Sequence, residues 1–330
     1  MYNTITINID TANTAELWCT AIDWAELSFK AISPLVLIHG TNADHTSWEP
    51  DVTSFLTSRK IPFIGTIDLI ANGTIDGNAN LLVSRLQQAV NALGAKSIHL
   101  VAHSKGGLDS RRFLGTYYNS LYPIKVLSLY TFSTPHHGTV FSTISHTIRN
   151  IEDPQSNNPD MQEYIDNDSW IARLGAGPKE PALGEQTIEK IEKFNIDNVF
   201  PGGIRFYTLG ANADLNDDET ISQAEAVPVI DSIFVNEAEA GSLMYRILGN
   251  VASITVERKT NLWGLNEWNV VTPIGTASFQ YNDLVVTANS AKHPMAISLV
   301  GMADRNHSTI KDGTSMSTVL SRIETDFPIK

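Results

Sequence analysis

The chain has 330 residues, 42% of them hydrophobic, with 23 basic against 36 acidic side chains and a formal net charge of −13. That length suits an α/β enzyme with insertions, and the acidic balance argues against nucleic acid and anionic membrane surfaces as partners while leaving neutral lipid or polymer open. A lone cysteine, Cys19, excludes an intramolecular disulfide, no signal peptide is visible at the start, and no apolar run reaches the ~18 residues of a membrane span.

Residues 1–30 alternate in short runs around Trp18 and Trp24 and predict an edge strand or two. From Pro34 to Gly40 the chain reads as a parallel strand buried on both faces. It ends in His39-Gly40-Thr41-Asn42, and Ser47-Trp48-Glu49-Pro50 can open a helix through about residue 58. Residues 62–69 predict another strand. Residues 78–93 predict an amphipathic helix, with Leu81, Leu82, Leu86, Val90 and Leu93 on one stripe and Gly94 as its stop. Ile98, Leu100 and Val101 predict a buried strand that stops at Ala102-His103-Ser104-Lys105-Gly106-Gly107, with helix from about Leu108 to Tyr118. Residues 125–134 predict a strand running into Ser133-Thr134-Pro135-His136-His137-Gly138-Thr139. This β-α-β-α-β order implies a mostly parallel, doubly wound sheet. Right-handed crossovers then bring loops 40–48, 103–107 and 134–139 to the carboxyl end of the strands, where open α/β sheets bind ligands.

Beyond residue 140 the periodicity weakens, and residues 140–200 are expected to form an inserted cap or lid. A helix returns at 187–194 and a strand at 204–209. An acidic loop with Asp214, Asp217, Asp218 and Glu219 follows. Residues 212–280 predict a second insertion, with a helix near 232–248 and strand pieces at 251–257 and 267–279. Residues 296–300 predict a last strand. No repeat interrupts the chain, so 1–330 is expected to be a single α/β domain.

Strand, sharp turn and helix around Ser104 is the context in which a serine hydroxyl projects above a sheet as a nucleophile. The positions two before and two after it must be small, and they are Ala102 and Gly106. Such a hydroxyl needs a general base and a third group that orients the base. In this order of elements the acid and then the histidine follow the serine. Only His293 and His307 come late, and His307 lies just past the last strand, whereas His293-Pro294 suits a surface turn. The acid is open on spacing between Asp283 and the group Asp214, Asp217 and Asp218. The oxyanion of an acyl-transfer transition state needs two N–H donors. Lys105, after the nucleophile, and Thr41, after the first strand, are the candidates. The Lys105 side chain is expected in solvent, and His39 and His103 are expected to brace loops. His136 and His137 are expected to line the active face, with no metal-ligand spacing and no cofactor motif.

Several of these segments together resemble the bacterial true lipase and carboxylesterase family of the α/β-hydrolase superfamily. They are Leu37-Ile38-His39-Gly40-Thr41, Val101-Ala102-His103-Ser104-Lys105-Gly106-Gly107, the 133–139 segment, Phe194-Asn195 ahead of Arg205-Phe206-Tyr207, Asn282-Asp283-Leu284-Val285, and Asn306-His307. The resemblance implies an α/β-hydrolase fold and a triad of Ser104, Asp283 and His307, the last two 24 positions apart. It also implies an oxyanion hole of Thr41 and Lys105, and makes a secreted mature form consistent with the chain. The chain departs from the family at Ala102 for a glycine, at Lys105, at Leu284 for a glycine, and at Thr309, where calcium-binding members carry an aspartate.

The function expected is hydrolysis of medium- or long-chain acyl esters, with aliphatic polyesters as a further class. The partner is a small or polymeric ester, including one at a lipid–water interface. An acyltransferase would use the same triad. A binding protein on a dead hydrolase fold would show a disabled triad position, and none is visible.

Overall fold

The computed structural model describes residues 32–166, 181–227, 229 and 238–328, so the edge strands expected in residues 1–30 lie outside the described residues. β1 (Leu35–Ile38) leads through a 3-10 turn (His45–Trp48) to α1 (Asp51–Ser58), and β2 (Phe63–Ile67) to α2 (Ile75–Leu93). β3 (Ser97–His103) meets α3 (Lys105–Arg112) with only Ser104 between them, and β4 (Lys125–Phe132) is followed by α4 (Val140–Arg149). Further on come β5 (Pro154–Ser156), a helix Pro159–Asp166, short helices Pro181–Glu185 and Ile188–Asp197, β6 (Arg205–Leu209) and β7 (Ala211–Asn212). A turn of helix (Gln223–Ala226) and the helix Ala238–Asn250 precede the hairpin of β8 (Val251–Thr260) and β9 (Glu267–Gly275). The last elements are β10 (Ile297–Ser298), β11 (Ala303–Asp304) and a helix Gly313–Asp326.

The central sheet runs β10-β6-β4-β3-β1-β2 with every described pairing parallel. It is the doubly wound sheet the sequence implied. Alternation along β1 sends Val36 and Ile38 to one face, against Leu82, Leu86 and Val90 of α2. Leu35 and Leu37 go to the other, against Val52 and Leu56 of α1 and Met316, Val319 and Leu320 of the last helix. Both faces are therefore covered, which is why β1 is apolar at every position. The α2 stripe is carried by Ile75, Ala79, Leu82, Leu86 and Val90, whereas Leu93 lies one position before the Gly94 cap and is exposed. The final strand is shorter than expected, two residues paired to Tyr207 and Thr208.

The described residues within 140–200 and 212–280 contain more regular structure than their weak periodicity suggests. α4 (Val140, Phe141, Ile144, Ile148), the helix 159–166 (Met161, Tyr164, Ile165), the helix 238–250 and β8–β9 share a hydrophobic cluster of their own. Leu284 joins it. The β5-β9-β8 sheet is separate from the central one.

Strand order reverses between β1 and β3. The chain leaves β1 for β2 on one side and returns to build β3 and β4 on the other. A crevice opens at such a switch point, beyond the carboxyl ends of the strands. The Thr41 loop after β1 and the Ser104 turn after β3 meet there.

Candidate active site

Ser104 sits at φ 54°, ψ −134°, a region that costs a side-chain-bearing residue about 1–3 kcal/mol and persists only where the surroundings impose it. Here its N–H donates to Phe132 O at 2.9 Å, and its carbonyl accepts from Thr134 Oγ1 at 2.8 Å and from Gly107 N at 3.0 Å. Two glycines make room. A Cβ on Gly106 would lie 2.2 Å from His39 O, and one on Gly40 would lie 2.6 Å from Ser104 Cβ. At the third tight position Ala102 is fully buried in register with Ile38, so its methyl fits.

His307 arrives on the loop between β11 and the last helix. Its Nε2 lies 3.0 Å from Ser104 Oγ and its Nδ1 2.9 Å from Asp283 Oδ2. A carboxylate only accepts, so Nδ1 carries the proton and Nε2 accepts from the serine hydroxyl. Asp283 is fully buried, and its other oxygen accepts from Val285 N at 3.0 Å and Val286 N at 2.7 Å. His307 N donates to Asp283 O at 2.9 Å, which locks the two loops together. The turn after Asp283 places Leu284 at φ 77°, the left-handed region that glycine enters at no cost. Burying the Leu284 side chain in the second hydrophobic cluster offsets that strain.

Asn306 is a positioning residue that the sequence showed only as part of a motif. Its Nδ2 donates to Glu225 O and Val227 O, both at 2.9 Å, and its Oδ1 accepts from Ser308 N and Thr309 N at 3.0 Å. Those four bonds hold the His307 loop. His103 donates from Nε2 to His307 O at 2.6 Å, and His39 donates from Nδ1 to Gly40 O while accepting from Leu69 N at 2.9 Å. Both brace loops, as their positions suggested.

The N–H groups of Thr41 and Lys105 donate to no acceptor among the described residues. Thr41 Oγ1 accepts from Gln186 Nε2 at 3.0 Å. Lys105 N stands at the start of α3, where the helix dipole favours negative charge. The Lys105 side chain corrects the sequence expectation. It is buried, with Nζ 2.7 Å and 3.0 Å from the two Asp109 oxygens. α2 packs against α3 and reaches the pair through Asn78, whose Nδ2 donates to Asp109 Oδ2 at 3.0 Å. Burial pushes the Asp109 carboxyl up to about 6, against the pull of Lys105.

The other candidates lie elsewhere. Asp214 is buried, and its carboxylate accepts from Asn216 N, Asp218 N and Glu219 N at 2.7–3.3 Å, with no histidine in contact. His293 packs its ring 5.4 Å from His136 and 6.5 Å from His137, and has no bond to Ser104. His136 is buried, with Thr131 Oγ1 at 2.9 Å and an Arg111 guanidinium nitrogen at 3.3 Å, so it faces the interior rather than the active face. Among the described residues no group of three or more His, Cys, Asp or Glu side chains is arranged to hold a metal ion.

Several imidazoles are buried in neutral form. Burial lowers His99 to about 4 and His293 to about 3, and also lowers His39, His103 and His136. An unfolded histidine titrates near 6.5, so between there and about 4 the unfolded chain binds more protons. Stability is therefore lost as pH falls through that window, by on the order of 3 kcal/mol from fully buried His99 alone. Burial also lowers His137, and the raised Asp109, between about 4 and 6, and His45, raised by its bond to Asp68, work in the opposite sense, two groups against six. Thermal melts from pH 7 to pH 4 are expected to fall steadily; a melting temperature that rises on acidification would contradict these burials.

No family model matches the chain. Triacylglycerol lipase 2 of Saccharomyces cerevisiae is 39% identical over 92 residues, 27% of this chain and 27% of that protein. A triacylglycerol lipase of Pseudarthrobacter phenanthrenivorans is 36% identical over 67 residues, 20% of this chain and 19% of the relative. The match thus spans about a quarter or less of these curated relatives. A solved lipase of Bacillus licheniformis in its mature form superposes with a TM-score of 0.59 at 20% identity, over 91% of this chain and 95% of that one. The chain has the α/β-hydrolase fold. Over short stretches its sequence is similar to triacylglycerol lipases, and its fold is similar to that of a solved lipase and a solved carboxyl esterase.

Proposed function

We propose that the chain is a serine carboxylic-ester hydrolase that works through an acyl-enzyme. The observation that supports this is the continuous hydrogen-bonded line from Ser104 through His307 to Asp283, beside two N–H groups that meet no acceptor among the described residues. In this reading Ser104 Oγ attacks the ester carbonyl carbon while His307 Nε2 takes its proton. Asp283 holds the imidazole in the tautomer that can accept, and balances the imidazolium. The N–H groups of Thr41 and Lys105 receive the negative charge on the carbonyl oxygen. The tetrahedral adduct expels the alcohol, which takes the proton from His307 and leaves the acyl group on Ser104. His307 then removes a proton from water, the hydroxide attacks the acyl carbon, and the acid departs as the proton returns to Ser104.

The substrates are medium- or long-chain acyl esters, with aliphatic polyesters included, met at an apolar surface. Residues 140–200 and 212–280 act as the cover over the site. The names of the curated relatives support the lipid reading. So does the tip of the β8–β9 hairpin, where Leu262, Trp263 and Leu265 are 103%, 83% and 81% exposed on an uncharged turn closed by Asn261. Apolar side chains with an indole among them suit the boundary between water and lipid, and full burial of each side chain contributes about 1.5–3 kcal/mol.

Hydrolysis of p-nitrophenyl esters from acetate to palmitate tests the reaction and its acyl preference, and excess alcohol in the assay separates hydrolysis from acyl transfer. With Leu262, Trp263 and Leu265 all changed to serine, adsorption to emulsified triolein is expected to weaken about 10-fold or more, while turnover of dissolved p-nitrophenyl acetate stays at the wild-type level. Equal loss on both substrates would show that the tip serves the fold and not the surface.

A further inference from the structure

A second pair of charged side chains lies buried behind the triad. Lys105 and Asp109 form an ion pair whose side chains are 1% and 2% exposed. Burying such a pair brings little net stability, because desolvation cancels most of the attraction. Its partners explain what it holds. Asp109 Oδ2 accepts a third bond, from Asn78 Nδ2 of α2 at 3.0 Å. Asn78 in turn grips the loop after β2 by both backbone polar groups of one residue, accepting from Ile70 N at 3.1 Å and donating to Ile70 O at 3.0 Å. That loop carries the turn after β1. Leu69 N donates to His39 Nε2 at 2.9 Å, and Asn42 N donates to Ala71 O at 3.2 Å. Thr41 lies between these two anchors.

The geometry points to a positioning network in which Lys105, Asp109 and Asn78 set the Thr41 N–H at its distance from the Lys105 N–H. One residue then supplies an oxyanion donor with its backbone and fixes the other donor with its ammonium group. The elbow and the Thr41 loop belong to different strands, and Gly40 and Gly106 remove the side chains that would otherwise hold them apart. A rigid link behind the site is what keeps two such donors on one oxygen, and a misplacement of about 1 Å there costs on the order of 100-fold in rate.

The test compares wild type with Lys105→Met/Asp109→Leu, which removes both charges at similar volume, and with Asn78→Ala, which leaves the ion pair and cuts the link. Three quantities are measured: kcat and KM for p-nitrophenyl butyrate, the inhibition constant of butylboronic acid, and the thermal melt. Ser104 Oγ adds to boron, its proton passes to His307, and the tetrahedral boronate places an oxygen on the same two donors. Both variants are expected to melt cooperatively, to lose about 10- to 100-fold in kcat with KM nearly unchanged, and to weaken boronate binding by the same factor. A folded variant that keeps kcat and boronate affinity within about twofold overturns the proposal. So does a drop in kcat without a matching loss of boronate binding, and so does failure of both variants to fold, which would make the network a requirement of the fold alone. This inference rests on the ester-hydrolase reading: a wild type that neither turns over the ester nor binds the boronate removes both, whereas an active wild type with unaffected variants removes only this one.

Discussion

Ser104→Ala is expected to abolish ester hydrolysis, with a loss of about 10⁶-fold in kcat, and His307→Ala is expected to lose about as much. The two effects are not additive, because each removes the same proton-transfer step. Ser104 is the hydroxyl held above the carboxyl end of β3, 3.0 Å from an imidazole nitrogen that must be the acceptor. The Ser104→Ala chain is expected to fold normally. Alanine has the same backbone requirement at φ 54°, and the bonds that impose it run through the Ser104 N–H and carbonyl rather than through Oγ. A melting temperature close to that of wild type, together with lost turnover, separates chemistry from folding. Residual activity after both changes would come from the donors and from binding alone.

Asp283→Asn is the second large effect, a loss of about 10⁴-fold in kcat. Its physical cause is tautomeric. An amide at 283 can offer N–H to His307 Nδ1, which drives the ring proton to Nε2, and the nitrogen facing Ser104 then has no lone pair to accept with. The same substitution at Asp214 is expected to leave kcat within about twofold. The Asp214 carboxylate is spent on three backbone N–H groups of its own loop, and its change acts on stability instead. Parallel kinetics of the two variants, each with a melt, check the pair. Loss of activity at Asp214 with retention at Asp283 would move the acid and leave the serine mechanism standing.

The sheet was legible because β1 is apolar at every position and β3 and β4, buried along almost their whole length, carry apolar, partly β-branched runs, a pattern that survives without any tertiary knowledge. Gly94 also leaves a local signal for the end of α2, whereas the helix starts at Ile75 behind the Thr74 cap, three residues before the start read from its apolar stripe. Ser104 was legible for a similar reason, since only small residues fit beside the elbow. Asp283 could not be chosen over Asp214 from spacing. What distinguishes them is a bond from His307 N to Asp283 O and a buried turn at Leu284, and neither leaves a periodic trace. α4 and the helix 159–166 were missed because their apolar faces meet the helix 238–250 and the β8–β9 hairpin, far along the chain. Lys105 misled for the plainest reason. A lysine after the nucleophile reads as solvated until α2 is laid over it, and the partner that makes its burial tolerable lies one helical turn on. A spacing of four between a lysine and an aspartate in a helix is common on surfaces, so the sequence offered no ground for placing this pair in the interior.

The most direct test of the central claim is covalent. The protein is titrated with an alkyl fluorophosphonate, and the peptides are read by mass spectrometry against residual esterase activity. Attack by Ser104 on phosphorus with loss of fluoride is expected to give one phosphonyl group per chain, on the peptide that carries Ser104, with activity falling in proportion and no labelling of the His307→Ala chain on the same timescale. Complete inactivation with Ser104 unmodified, or ester turnover by a chain that never labels there, would contradict the account.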